Sequence, residues 1–115
     1  MIGGMTSLTL QTALRGLDAR RQAHEANVAN VETPGYRARS VDFESELKAA
    51  LTSPHLLPRV TPNVNTSNEP GRANGNNVNI DQEMVSLTKT ALTQELLVRA
   101  LNDRYGLLRT ALGNG

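Results

Sequence analysis

The sequence predicts an all-α protein, with long N- and C-terminal helices paired in a coiled-coil-like rod domain and a flexible middle loop. Three observations predict it. Residues 78–112 carry apolar side chains at alternating spacings of four and three. Residues 6–31 repeat that pattern more weakly. All five prolines fall between Pro34 and Pro70, in the stretch separating the two. A single domain spans 1–115, with a first helix over residues 6–31, turn and loop over 32–77, and a second helix over 79–112.

The first helix has its seam at Leu10, Leu14, Leu17, Arg21, His24, Val28 and Val31, with Arg21 and His24 interrupting it. Ala13, Gly16, Ala23 and Ala26 beside the seam let another helix come close. Arg15 with Asp18, and Arg21 with Glu25, stand at the spacing of helical ion pairs, each contributing a few tenths of a kcal/mol when exposed. The helix must stop near Val31, because Pro34 disfavours helical geometry at Thr33.

Pro34-Gly35 fits the two central positions of a type II turn: proline fixes the first φ, and glycine permits the positive second one. Beyond it, Val41, Phe43, Leu47 and Leu51 suggest a small packed patch and a short helix over residues 42–51. Residues 52–77 read as unfolded. They are rich in proline and asparagine, and too few apolar side chains are present to offset the entropy of ordering them.

The second helix has the longest regular pattern. Ile80, Met84, Leu87, Ala91, Gln94, Val98, Leu101, Tyr105, Leu108 and Leu112 form an a/d seam broken only by Gln94. Asn79 is placed to cap the start, with Gln82 three residues on, and Gly113 to end it. Asp81 and Glu83 sit in the first turn and Arg104 and Arg109 near the end, as the helix dipole prefers. Leu92, Leu96 and Leu97 fall off the seam and widen the apolar face. Such a stripe is also compatible with the core of a monomeric helical hairpin. The extra leucines and an aromatic content of 3% favour assembly instead, since a compact core normally draws on aromatics.

Composition narrows the function. A net charge of +1 without a basic cluster argues against nucleic acid. Ten of the twelve cationic side chains are arginine, which suits forked ion pairs at interfaces. With no cysteine there is no disulfide and no thiolate metal site. The first residues carry no basic and apolar run of the kind a cleaved signal needs, and no run is long enough to insert in a membrane. His24 and His55 are the two histidines; a catalytic or metal constellation needs two or three converging groups, whereas His24 reads as a surface or seam residue and His55 as solvated in the flexible region. No catalytic, cofactor-binding or metal-binding residue is assigned, no cofactor is expected, and the chain reads as a non-enzyme.

The stretch Asn27-Val28-Ala29-Asn30-Val31-Glu32-Thr33-Pro34-Gly35-Tyr36 resembles the signature at the end of the first helix in flagellar rod, hook and hook-associated proteins. Within it, Asn27, Asn30, Thr33, Pro34, Gly35 and Tyr36 are the motif residues; Glu32 departs from the Asp or Asn more usual there. Arg37-Ala38-Arg39, Val41-Asp42-Phe43, Gly75-Asn76-Asn77-Val78 and the ending Tyr105-Gly106-Leu107-Leu108-Arg109 resemble the small proximal-rod protein at the base of the rod. The resemblance covers nearly the whole chain except the middle loop. It implies a structural subunit of the bacterial flagellar basal-body rod, in the periplasm, transmitting torque and lining the export channel. It implies export by the flagellar type III apparatus without a cleaved signal peptide. Its implied partners are own copies, other proximal-rod proteins, and the adaptor to the inner-membrane ring and export gate. A soluble helical-hairpin adaptor or secretion chaperone is the alternative.

On this reading the isolated chain is only partly folded, because marginal helices draw their stability from packing. Circular dichroism of dilute protein is expected to give less helix than the two segments together would. A sharp cooperative melt at low concentration counts against it.

Overall fold

The computed structural model describes residues 2–113, with the side chains of residues 2–5 and of Leu108 outside the description. Helix α1 (Ile2–Ala29) is followed by strand β1 (Arg39–Asp42), helix α2 (Glu44–Ala50), a 3-10 turn (Pro54–Arg59), strand β2 (Asn63–Thr66) and helix α3 (Ile80–Ala111). α1 and α3 run antiparallel: His24 meets Glu83 near one end, and Gln11 donates to the Tyr105 hydroxyl near the other, at 2.9 Å. The Cα trace extends 63 × 28 × 14 Å. The thin dimension of 14 Å is that of about two packed layers, since helix axes pack roughly 8–10 Å apart and each Cα cylinder has a radius of about 2.3 Å. Few side chains are therefore enclosed from every side.

α1 runs Ile2–Ala29 where residues 6–31 were expected, and α3 runs Ile80–Ala111 where 79–112 were expected. Asn79 caps α3 by accepting from the Gln82 amide at 3.2 Å. The Pro34-Gly35 turn closes with the Tyr36 amide donating to the Thr33 carbonyl at 3.2 Å, and Gly35 has the positive φ of 75° that this turn requires.

The middle of the chain differs from expectation. The fold is mostly helical but not all-α, because β1 and β2 form a two-stranded antiparallel sheet with Val41 opposite Val64. Residues 52–77, expected to be flexible, contain the 3-10 turn and β2. Sparse apolar content misleads here because a few well-placed anchors suffice. Leu57 is fully buried, and with Val60 and Ala50 it forms a cluster that Leu8 and Leu47 complete. Polar side chains of α1 then hold the backbone: Arg15 donates to the Leu57 and Val60 carbonyls at 3.3 and 3.4 Å. Arg15 is thus used on the loop, and Asp18 pairs instead with Arg21, which also pairs with Glu25.

A second cluster joins α1 to β1 through Leu17, Ala23, Val41 and Phe43. Phe43 lies flat on Gly16, where an added Cβ would stand 2.4 Å from a ring carbon. Arg20 covers the ring, its guanidinium carbon 4.8 Å from the centroid. The same guanidinium donates to the Val41 carbonyl at 2.6 Å and to both Glu44 carboxylate oxygens at 2.6 and 2.7 Å.

Those hydrogen bonds from Arg20 hold the Glu44 carboxyl down at about 2, against an ordinary value of 4.5. A folded value below the unfolded one stabilises the fold above the ordinary carboxylate range, and the contribution disappears as pH falls from about 4.5 towards 2. Glu44 is 61% exposed, so solvent screening keeps that contribution within ~1 kcal/mol. Urea midpoints across this window are expected to fall less steeply in Glu44→Gln than in the parent chain. Identical slopes would remove the pair from the stability account.

Candidate functional site

α1 ends at Ala29, with the Ala26, Asn27 and Val28 carbonyls taken by the Asn30 and Val31 amides, and the carbonyls of the turn that follows it have room for further donors. Asn76 supplies them. Its side-chain amide is fully buried and donates to the Asn30 and Thr33 carbonyls, both at 2.8 Å. Its oxygen accepts from the Val78 amide at 2.8 Å. Arg72 adds donations to the Val31 and Val78 carbonyls, tying the same two segments together.

Asn27 performs the matching task towards the sheet. Also fully buried, it donates to the Arg39 carbonyl at 2.8 Å and accepts from the Arg39 amide at 2.9 Å, as a neighbouring strand would. It also accepts from the Tyr36 hydroxyl at 3.2 Å. Asn30 donates back to the Ala26 carbonyl at 2.8 Å and accepts from the Thr33 hydroxyl at 3.0 Å. The Gly35 amide donates to the Asn74 carbonyl at 2.8 Å, where Gly75 packs against Gly35: a Cβ on Gly75 would lie 3.4 Å from the Gly35 Cα. Asn77 accepts from the Ala38 amide at 2.6 Å and donates to the Glu69 carbonyl at 3.1 Å.

The six motif residues therefore meet in one place, at the junction of α1, β1 and the approach to α3. Their polar side chains bond within the chain. Half of that junction comes from Arg72, Asn74, Asn76 and Asn77, which the sequence reading left in an unfolded segment. The signal available was the Asn74-Gly75 pair, a strong turn former.

The seam residues divide. Leu17 is buried, and Leu10, Leu14, Val28 and Val31 are half-buried along α1. On α3 the buried or half-buried line runs through Glu83, Leu87, Thr90, Gln94, Leu97, Leu101 and Arg104. That line has the four-three spacing of the expected seam but shares only alternate positions with it. Ile80, Met84, Ala91, Val98, Tyr105 and Leu112 are exposed, and the Leu108 side chain lies outside the described residues. The apolar pattern on α3 was read as one face; the helix turns a partly polar face inward, where Glu83 meets His24 while the buried Arg104 Nε has no hydrogen-bond partner among the described residues. Glu83 lies 2.5 Å from the His24 imidazole, with both side chains largely buried. His24 is thus a link between the helices. Among the described residues no cluster of His, Cys, Asp or Glu could hold a metal ion, and no helix is long and apolar enough to cross a membrane.

No family model matches the chain. Among curated proteins it is similar to the flagellar basal body rod protein FlgB of Bacillus subtilis (strain 168), 30% identical over 122 residues that cover 96% of this chain and 95% of the relative. The FlgB proteins of Salmonella typhimurium and Escherichia coli (strain K12) are 29% and 28% identical, each alignment covering 91% of both chains.

Asn76→Ala leaves the Val78 amide without its partner and takes a second donor from the Asn30 and Thr33 carbonyls, which keep the Thr33 and Tyr36 amides; an unpaired buried group costs about 1–3 kcal/mol. Hydrogen exchange at residues 74–79 is expected to accelerate strongly, while Asn68→Ala, at an exposed position, leaves it within error. Equal protection in the two variants would show that Asn76 does not hold the junction.

Proposed function

Since the chain belongs to the FlgB family of flagellar basal body rod proteins and is a structural component of that rod, we propose that it forms part of the proximal rod, carrying torque from motor to hook and filament and lining the export channel. It acts through contacts between proteins and not through catalysis.

The observation that carries this reading is the exposed apolar surface of α3. α1 already covers the inward face, yet Met84, Val98 and Tyr105 remain 50%, 44% and 40% exposed on the adjoining flank. Apolar rows of this length on a helix otherwise find a partner. Ile80, Met84, Ala91, Val98, Tyr105 and Leu112 serve as contact residues between subunits. Leu10, Leu14, Val28, Val31, Leu87 and Leu101 line the pairing of α1 with α3, while Leu17 anchors β1 and Phe43 on α1. The partners are further copies, other proximal-rod proteins, and the adaptor that seats the rod on the inner-membrane ring and export gate. A slab with two small clusters and no thick core unfolds at modest cost, which suits passage through the flagellar type III apparatus.

The motif at the junction takes a structural part here. It fixes the angle at which the chain leaves α1, so that α3 lies along it and presents its outer flank in one orientation.

Val98→Asp tests the reading. The side chain is exposed, so the folded subunit keeps its helical signal, and assembly is lost because a carboxylate must be desolvated at each contact. In a strain lacking its own copy, the parent chain is expected in purified basal bodies and Val98→Asp is expected to leave cells non-motile. Normal swimming with Val98→Asp present in the rod would overturn the assignment of this flank.

A further inference from the structure

Two apolar features of the surface are left over once the Met84–Val98–Tyr105 flank is assigned. One is a ridge: Val85, Leu92 and Leu96 are 68%, 57% and 67% exposed. At about 100° per residue they lie within roughly 40° of one another around α3, on the side turned away from α1. The other is a groove of about 530 Å³ between α2 and α3, floored by Ala13 and Leu17 and walled by Phe43, Leu47 and Leu97.

Resting on the rod assignment, we infer that copies of this chain join by seating the ridge of one in the groove of the next. The dimensions agree. The ridge runs from Val85 to Leu96 and the α3 wall of the groove from Ser86 to Leu97. Each is eleven steps of 1.5 Å, or about 17 Å. The chemistry agrees as well: three branched aliphatic side chains meet a trough whose exposed lining is mostly apolar. Charge favours a second copy as the occupant. Lys89 stands at the border of the groove with no ion pair among the described residues. The ridge is flanked along the same helix by Asp81 and Asp103, which are likewise unpaired there and exposed.

Ridge and groove point roughly 110° apart around α3, so they are different patches. A contact between different patches is heterologous and propagates from copy to copy, closing into a ring or continuing as a helix. Such a contact suits a tube and needs no two-fold axis.

The chain contains no cysteine, so engineered thiols report contacts without background. Leu92→Cys marks the ridge, and Thr93→Cys marks the exposed groove wall. The two variants are to be co-expressed in a strain lacking its own copy, and basal bodies oxidised after purification. A mixed Leu92→Cys/Thr93→Cys disulfide is expected, with none from either variant alone. Lys89→Glu in the groove-bearing copy is expected to lower its yield by about two- to fivefold, as loss of a rim ion pair would. Cross-linking of Leu92→Cys to itself, cross-linking only to a different rod protein, or no adduct in rods that contain both variants would each overturn the inference and leave the rod assignment standing. Absence of both variants from basal bodies while the parent chain is present would overturn the inference, whereas absence of the parent chain too would overturn the assignment itself.

Discussion

The donation from one buried amide, that of Asn76, to the Asn30 and Thr33 carbonyls sets the geometry of the whole chain. It closes the end of α1 and at the same time fixes where α3 begins, because the Asn76 oxygen holds the Val78 amide. Two helices of 28 and 32 residues are thereby set side by side in antiparallel order. Asn27 applies the same device to β1. Both asparagines are fully buried, and each would be costly without its partners, so an arrangement that misplaces either segment leaves several polar groups unpaired. Hydrophobic burial alone would tolerate slippage of one helix along the other.

From that junction the packing follows in order of proximity. α1 is used on two sides. One carries β1, α2 and the 3-10 turn through Leu17, Phe43 and Leu57, and the other carries α3. α3 is used on one side only, and even there Glu83 and Thr90 occupy buried positions. Along α3 the internal contacts thus include polar side chains beside Leu87, Leu97 and Leu101, and larger aliphatic ones, such as Val85, Leu92 and Leu96, stay outside. A globular monomer normally does the reverse. In a rod subunit the distribution has a physical use: directional hydrogen bonds define its shape, and non-directional apolar area stays available for contacts with other rod components.

Much of the helical framework was legible in the sequence because it rests on local rules. Helix ends near residues 30 and 80, the Asn79 cap, the Thr33–Tyr36 turn and a short helix after Phe43 are each dictated by residues close together in the chain. The sheet, the 3-10 turn and the junction were not legible, and the reason is the same in each case. Val41 opposite Val64, Arg15 on the Leu57 carbonyl and Asn76 on Asn30 are contacts across 23, 42 and 46 residues. Composition counts apolar residues, whereas what orders 52–77 is Leu57 and Val60 in the right place and backbone groups satisfied by α1. The seam on α3 was recognised in period but not in phase. Its apolar residues cover most of the circumference, and hydropathy alone cannot select the inward face when the buried line includes Glu83, Thr90 and Gln94.

That choice of phase bears on how firmly the chain can fold by itself. An inward face built from His24 with Glu83, and from threonine and glutamine, gains little from burial in a disordered collapsed state, where such pairings are rarely formed together. The aliphatic outer flanks gain little until another subunit covers them. Both features limit the stability that burial within one chain can supply before neighbours cover it. An inward seam of leucine alone would fold more firmly in isolation, and it would leave the register between the two helices less defined. Placing polar specificity inside and apolar surface outside fixes the shape of the subunit and leaves part of its apolar area to be covered by other components of the rod.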